Sequence, residues 1–277
     1  MVGRDKEVVR PATFALTGKT EAVLRLLWRK LVLEVCVESV SKRYGKVLAV
    51  DDVTLSLSRG VTCLLGRNGA GKSTLVRQMV GVENPSLGSV RLLADGKELD
   101  RKGRNASMGW LPQAFGYPPR MKVRDYVEYA AWLKGCNRRN AALLANSAIA
   151  QFDLIDNAGK RLGELSGGLL RRAGLAAATV HDPEGLILDE PTAGLDPFQR
   201  VDLHERVKVL GKKTTVLVAT HLLEDVNAVA DRILILDSGQ SKWAGTRVEL
   251  AAVGGSATAD VESLREGLVA LVGRESE

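Results

Sequence analysis

Gly66-Arg67-Asn68-Gly69-Ala70-Gly71-Lys72-Ser73 follows a short apolar run, Val61–Leu65, and leads into a helix that starts at Lys72. The spacing G-x-x-x-x-G-K-[ST] is complete. Its glycines let the backbone curl so that successive N–H groups point inward, and the positive end of the following helix dipole adds to the attraction for an anion. A buried strand, a glycine-rich loop and a helix in this order form a phosphate cradle. Lys72 is placed to reach the β- and γ-phosphates of a nucleotide, and the Ser73 hydroxyl to ligate Mg²⁺. Gly66, Arg67, Asn68, Gly69, Ala70 and Gly71 line the loop, and Thr74 follows in the first helical turn.

Mg²⁺ bound to a nucleotide needs further oxygen ligands. Leu186-Ile187-Leu188-Asp189-Glu190 supplies a second apolar run that ends in two carboxylates. Asp189 is placed to hold the metal, directly or through water, and Glu190 to polarise an attacking water. Alone, a strand ending in Asp-Glu is a weak signal, since surface carboxylates after strands are common; beside the phosphate cradle it is a specific one.

Outward from these two stretches, strand and helix patterns alternate. Leu33–Val40 and Val47–Leu57 read as strands with a turn at Tyr44-Gly45, and Gly185–Leu188, Thr214–Ala219 and Ile233–Leu236 as short buried strands. Gln199–Leu210, Leu222–Ala230 and Val261–Val272 read as helices. Residues 115–181 read as mostly helical, with periodic stretches at Val123–Lys134 and Arg138–Phe152. The expected fold is therefore α/β: a core with a parallel sheet, an antiparallel β-subdomain and a helical insertion at about 114–181. Residues 1–32 form an N-terminal extension and 251–277 a C-terminal tail. Thr20 can cap a helix through Leu33 with a basic and an apolar side, which suits a membrane surface or packing on its own domain; the alternative is a disordered extension.

Composition narrows the class. The chain has 277 residues, 45% of them hydrophobic and only 4% aromatic, so its core is expected to be aliphatic. Its 39 basic and 33 acidic residues give a net charge of +6 with no single basic block, which suits an anionic ligand and gives no expectation of nucleic acid. Cys36, Cys63 and Cys136 are far apart and odd in number, which fits buried thiols in a reducing compartment and neither a disulfide framework nor a zinc site. The longest apolar candidate, Ala22–Val37, is interrupted by Arg25, Arg29, Lys30 and Glu34, short of the roughly 18 residues that span a bilayer. The N-terminus lacks the order of a signal peptide. A cytoplasmic chain is expected.

Leu165-Ser166-Gly167-Gly168-Leu169 sharpens the reading. Together with the cradle and the Asp189-Glu190 pair, this stretch resembles the signature of ATP-binding-cassette ATPases. Gln113, Gly194-Leu195-Asp196 and His221 stand in that family's order, and Tyr44 where the family places an aromatic ring against adenine. The resemblance runs from about Leu33 to Gly245 and implies one ATPase domain over 33–250. It further implies a head-to-tail pair of ATPase subunits, with Ser166, Gly167 and Gly168 of one chain on the γ-phosphate held by Lys72 of the other. In that reading His221 contacts the γ-phosphate and the attacking water, Gln113 senses the metal and water, and Asp196 touches the opposing subunit. Taken alone, His221 reads as a core-edge histidine, Tyr44 as a turn aromatic and Gln113 as a loop residue. His181 and His204 match no family position. Leu169 departs from the pattern, which usually has Gln there.

With one cassette and no span, the resemblance implies a separate transmembrane permease and peripheral attachment to the cytoplasmic face of the membrane. The stretch Leu111–Tyr117, followed by Met121–Tyr126, is similar to bacterial exporter ATPases of the ABC-2 and multidrug type, with Phe115 and Tyr117 read either as an exposed grip for a partner helix or as a helix cap packed inside the insertion. A non-transport cassette ATPase acting on ribosomes or DNA is the alternative; such proteins usually carry two cassettes or a long coiled coil. A nucleotide kinase would leave Leu165–Leu169 and His221 without a purpose.

Overall fold

The structure, a computed structural model, describes residues 32–273. The helix read from Thr20 lies outside them, apart from Val32 and Leu33, and Leu33 instead opens a strand. An antiparallel sheet takes β1 (Leu33–Tyr44), β2 (Val47–Leu57), β4 (Leu87–Ala94) and β5 (Lys97–Glu98) in the order β2-β1-β4-β5. A six-stranded sheet has the order β10-β9-β3-β8-β7-β6. There β3 (Gly60–Leu65), β6 (Met108–Leu111), β7 (Gly185–Asp189), β8 (Thr215–Thr220) and β9 (Arg232–Asp237) run parallel, and β10 (Gln240–Gly245) lies antiparallel at one edge.

The parallel strands are buried on both faces, which is why they read as unbroken apolar runs. Successive residues feed two different clusters: Cys63 and Leu65 of β3 pack on one face and Leu64 on the other, Val216 and Val218 of β8 oppose Leu217 and Ala219, and Ile233 and Ile235 of β9 oppose Leu234 and Leu236. One face is covered by helices. The other is covered by β1, β2, β4 and the helix α1 (Lys72–Met79) through Leu75, Val76 and Met79. Burial pushes the Cys63 thiol well above its ordinary range, so it serves as a small core residue.

Helix α2 (Arg101–Ser107) precedes β6, and the stretch between β6 and β7 carries α3 (Val123–Leu133), α4 (Arg138–Gln151) and α5 (Gly167–Thr179). These pack through Val127, Ala131, Ala145, Ile149 and Ala173, small and medium side chains that let the helices approach closely. Then follow α6 (Pro197–Gly211), α7 (Leu223–Val229), α8 (Arg247–Val253) and α9 (Val261–Val272). Helix α6 begins two residues before the expected Gln199, because the Asp196 side chain accepts from the Gln199 N–H and Pro197 occupies the first turn. Among the described residues no helix is long and apolar enough to cross a membrane.

Candidate functional site

The carboxyl ends of β3, β8, β7 and β6 are neighbours in the sheet, and the phosphate loop, His221, Asp189-Glu190 and Gln113 follow those four ends. Crevices at such ends are where open parallel sheets bind ligands. The Gly66 N–H donates to the Thr220 carbonyl at 3.3 Å, which fastens the loop to the residue before His221.

Two glycines make the loop possible. A Cβ on Gly66 would lie 2.4 Å from the Leu236 carbonyl oxygen, and Gly71, at φ 100°, would drive one to 2.4 Å from the Ala49 carbonyl oxygen. Gly71 also opens α1 without a side-chain cap, which leaves the first-turn N–H groups to an anion. Lys72 is buried and folds back across its own loop, its Nζ donating to the carbonyls of Gly66 (2.7 Å) and Arg67 (3.1 Å). The same Nζ lies 3.5 Å from Glu190 Oε1.

Asp189 and Glu190 are both buried. Burial raises the Asp189 carboxyl pKa and Glu190 adds to that, while the Ser73 hydroxyl, Lys72 and Arg171 oppose it. One of its oxygens, Oδ1, is buried without a hydrogen-bond partner. An orphaned carboxylate oxygen beside a serine hydroxyl is an oxygen donor set that suits a small hard cation. Among the described residues no group of three or more His, Cys, Asp or Glu could hold a metal by itself, so the fit is to a cation that shares its ligands with phosphate and water. Glu190 sits at φ 48°, a left-handed conformation unusual for a side chain of its size. Its N–H donates to the Ala219 carbonyl at 2.8 Å, and its carboxylate oxygens lie 2.9 and 3.0 Å from His221 Nδ1.

Tyr44 comes to the phosphate helix: its hydroxyl bonds Glu83 and lies against Thr74 and Arg77, and Lys42 Nζ stands 5.3 Å from its half-exposed ring. Gln113 is exposed, and its carbonyl accepts from Arg171. Ser166 caps α5, its Oγ accepting from Leu169 N–H, and Asp196 caps α6; both are exposed. Gly168 is tight against Gln199 of α6, where an added Cβ would lie 2.3 Å from the amide oxygen. A cavity of about 390 Å³ opens beside Arg67, Asn68 and His221 and is closed on another side by Leu268, Val269 and Val272 of α9.

Residues 50–193 match the ABC transporter family. The chain belongs to that family. It is 36% identical over 229 residues to the daunorubicin resistance ATP-binding protein DrrA3 of Streptomyces coeruleorubidus, covering 82% of this chain and 72% of that one. It is 35% identical to the Nod factor export ATP-binding protein I of Burkholderia orbicola, over 73% of this chain and 67% of that one. Among solved structures, that of cbiO1 from Clostridium perfringens, part of the ABC transporter complex cbiONQ, is 30% identical with a TM-score of 0.66, covering 79% and 90% of the two chains. This chain is thus an ATP-binding, ATP-hydrolysing subunit of an ABC transporter.

The ABC signature departs from its usual Gln at Leu169, and in the structure that residue packs half-buried against the helical core cluster. Phe115 and Tyr117 pack inside the insertion and do not stand out as an exposed grip. They are half-buried against the same cluster, rings tilted 54° at 6.0 Å, because Gly174 of α5 leaves room for Phe115. The more exposed aromatics nearby are Tyr129 and Trp132 of α3, stacked at 5.8 Å.

Sequence reasoning missed two groups. Arg171, buried in α5, donates to five backbone carbonyls around the site. Asp225, buried in α7, accepts from Thr192 (2.7 Å) and Thr220 (2.9 Å) and pairs with His204 Nε2 at 2.8 Å. This knot ties the turn after Glu190 to the residue before His221. Its only sequence trace is a lone histidine on α6.

Proposed function

We propose that this ABC subunit hydrolyses Mg²⁺-ATP at a site shared with a second ATPase subunit, and thereby drives export through a separate transmembrane permease. The observation that carries the reading is the contact of Glu190, a buried carboxylate that directly follows the strand ending in Asp189, with both Lys72 and His221. ATP phosphates lie in the N–H cradle of residues 66–74, where Lys72 exchanges its contact with Glu190 for the β- and γ-phosphates. Asp189 and Ser73 would hold Mg²⁺, which would neutralise phosphate charge there. Glu190, released from Lys72, accepts a hydrogen bond from the attacking water, and His221 orients that carboxylate and the γ-phosphate. Tyr44 meets adenine, and Gln113 would sense the metal and the attacking water.

Ser166, Gly167 and Gly168 open a second helix N-terminus, and the exposure of Ser166 and Gly167 leaves this end to the γ-phosphate of a partner's ATP, with Asp196 at the contact. Export is favoured by the Nod factor relative, whose name states that role. Helix α3 offers the permease an exposed stacked pair, Tyr129 and Trp132. On this reading residues 33–250 are the ATPase domain, 114–181 its helical part, and the chain sits on the cytoplasmic face of the membrane through the permease.

The test is phosphate release by the full-length chain with Mg²⁺-ATP. The parent should turn over, and Glu190→Gln should bind ATP with unchanged affinity while losing at least about a hundredfold in rate, the scale of a lost general base. Equal rates in the two proteins would contradict the assignment.

A further inference from the structure

The Arg171 side chain lies in the second turn of α5, five residues beyond the cap Ser166, and is buried. Its Nη2 donates to the carbonyls of Asp189 and Glu190, each at 2.7 Å, and its Nε to that of Pro191 at 3.1 Å. Its Nη1 donates to the carbonyls of Pro112 and Gln113, each at 3.0 Å. The planar guanidinium thus spends its donors on backbone oxygens of two separate loops. One loop carries the left-handed Glu190; the other carries Gln113. Burial lowers the Arg171 pKa to about 10, partly offset by Asp189 and Glu190, so it remains charged at neutral pH.

We propose that Arg171 is a positioning residue that joins the Glu190 turn and the Gln113 loop to the signature helix, so that the orientation of the hydrolytic carboxylate depends on where that helix sits. The Ala219 carbonyl accepts the Glu190 N–H, Arg171 donates to the Glu190 carbonyl, and Asp225 anchors Thr192 two residues on. Of these anchors only Arg171 comes from α5. A shift of Ser166 therefore reaches the Glu190 turn through the Arg171 side chain, which also holds the Gln113 loop. Lysine cannot replace it: an ammonium is a point donor with three hydrogens and no fork to span two loops.

This rests on the reading that Glu190 serves hydrolysis, and the Glu190→Gln control separates the two: if that variant keeps the parent rate, the reading of Glu190 fails before Arg171 is judged. The experiment measures kcat and KM for ATP in full-length Arg171→Lys and Arg171→Met, with melting curves. In parallel, hydrogen exchange is followed with and without a non-hydrolysable ATP analogue. The expected result is a fall in kcat of at least tenfold with KM within threefold of the parent, and Arg171→Lys no better than Arg171→Met. In the parent the analogue should slow exchange in residues 66–74 and also in 113–117 and 189–193. In the variants only 66–74 should respond. A kcat within twofold of the parent, a matching rise in KM, protection that still spreads to both loops, or failure of both variants to fold would overturn the proposal, the last by assigning Arg171 to the fold alone.

Discussion

His221 Nδ1 lies within 3.0 Å of both carboxylate oxygens of Glu190, while Lys72 approaches the same carboxylate through Oε1. Glu190 is buried while the His221 side chain is 42% exposed, so the histidine is the member of the pair that can meet substrate from outside. On the proposed reading this pairing makes His221 an orienting group for the carboxylate.

His221→Ala should therefore leave ATP affinity within about threefold and cut kcat by about a hundredfold, the usual scale for losing a positioned acid–base group. Equilibrium binding of a fluorescent ATP analogue, set beside steady-state phosphate release, reads both quantities. A proportional loss of affinity and rate would instead make His221 a simple binding contact.

Lys72→Ala should act at the other end of the site. A hydrogen bond to a charged group contributes about 1.5–3 kcal/mol, so ATP affinity should fall roughly 10- to 100-fold. Two loop carbonyls, Gly66 and Arg67, also lose their donor, so the loop itself should loosen. Titration calorimetry with ATP is the check. Unchanged affinity would remove Lys72 from the phosphate site.

The phosphate loop, the Asp189-Glu190 pair and the buried strands were legible because each is a local pattern: fixed glycine spacing, or an apolar run ended by carboxylates. The helices α3 and α4 were legible from their periodicity. Strands β4 and β6 and the short helix α2 were not, since they occupy four to eight residues and carry Gly88, Gly103 and Gly109 inside them. The contacts that hold the site are harder still to read. Arg171 looks like any helical arginine until α5 is folded against Pro112 and Pro191, and Asp225 lies 33 residues from Thr192. Phe115 and Tyr117 could be read as a surface grip because nothing local shows that Gly174 makes room for a ring.

Asp225 gives a pH dependence with a definite sign. Burial raises its pKa, but hydrogen bonds from His204, Thr192 and Thr220 outweigh that and the net shift is downward. The folded chain therefore holds this proton less tightly than the unfolded chain. The stabilisation is complete above about pH 4, the unfolded value, and is lost as pH falls through the lower folded value. Asp225→Asn should be less stable at pH 7, by about 1–3 kcal/mol for the partners left unmatched, and its melting temperature should change less between pH 7 and pH 3 than the parent's. Parallel acid slopes in the two proteins would show that the cluster does not contribute in this way.

Leu169→Gln restores the polar residue usual in ABC signatures at a position this chain uses for packing. Placing an amide against the helical core should lower the melting temperature by a few degrees, about 1 kcal/mol, and leave kcat within about twofold. Melting curves and phosphate release together decide it. A several-fold change in kcat at unchanged stability would mean that Leu169 tunes the chemistry.

On the proposed reading each ATP site is built from two chains, with Lys72 from one and Ser166 from the other. The most direct measurement of that claim mixes two inactive subunits. Ser166→Arg blocks the signature cap in both sites of its own homodimer, and Lys72→Ala cripples both phosphate loops of its own. In the mixed dimer one site carries both lesions and the other carries neither. Phosphate release should be absent from each mutant alone and should reappear on mixing at the same total protein, below the parent rate. If sites are complete within single chains, every site in the mixture holds one lesion. No recovery, with mixed dimers confirmed by two affinity tags, would contradict the account.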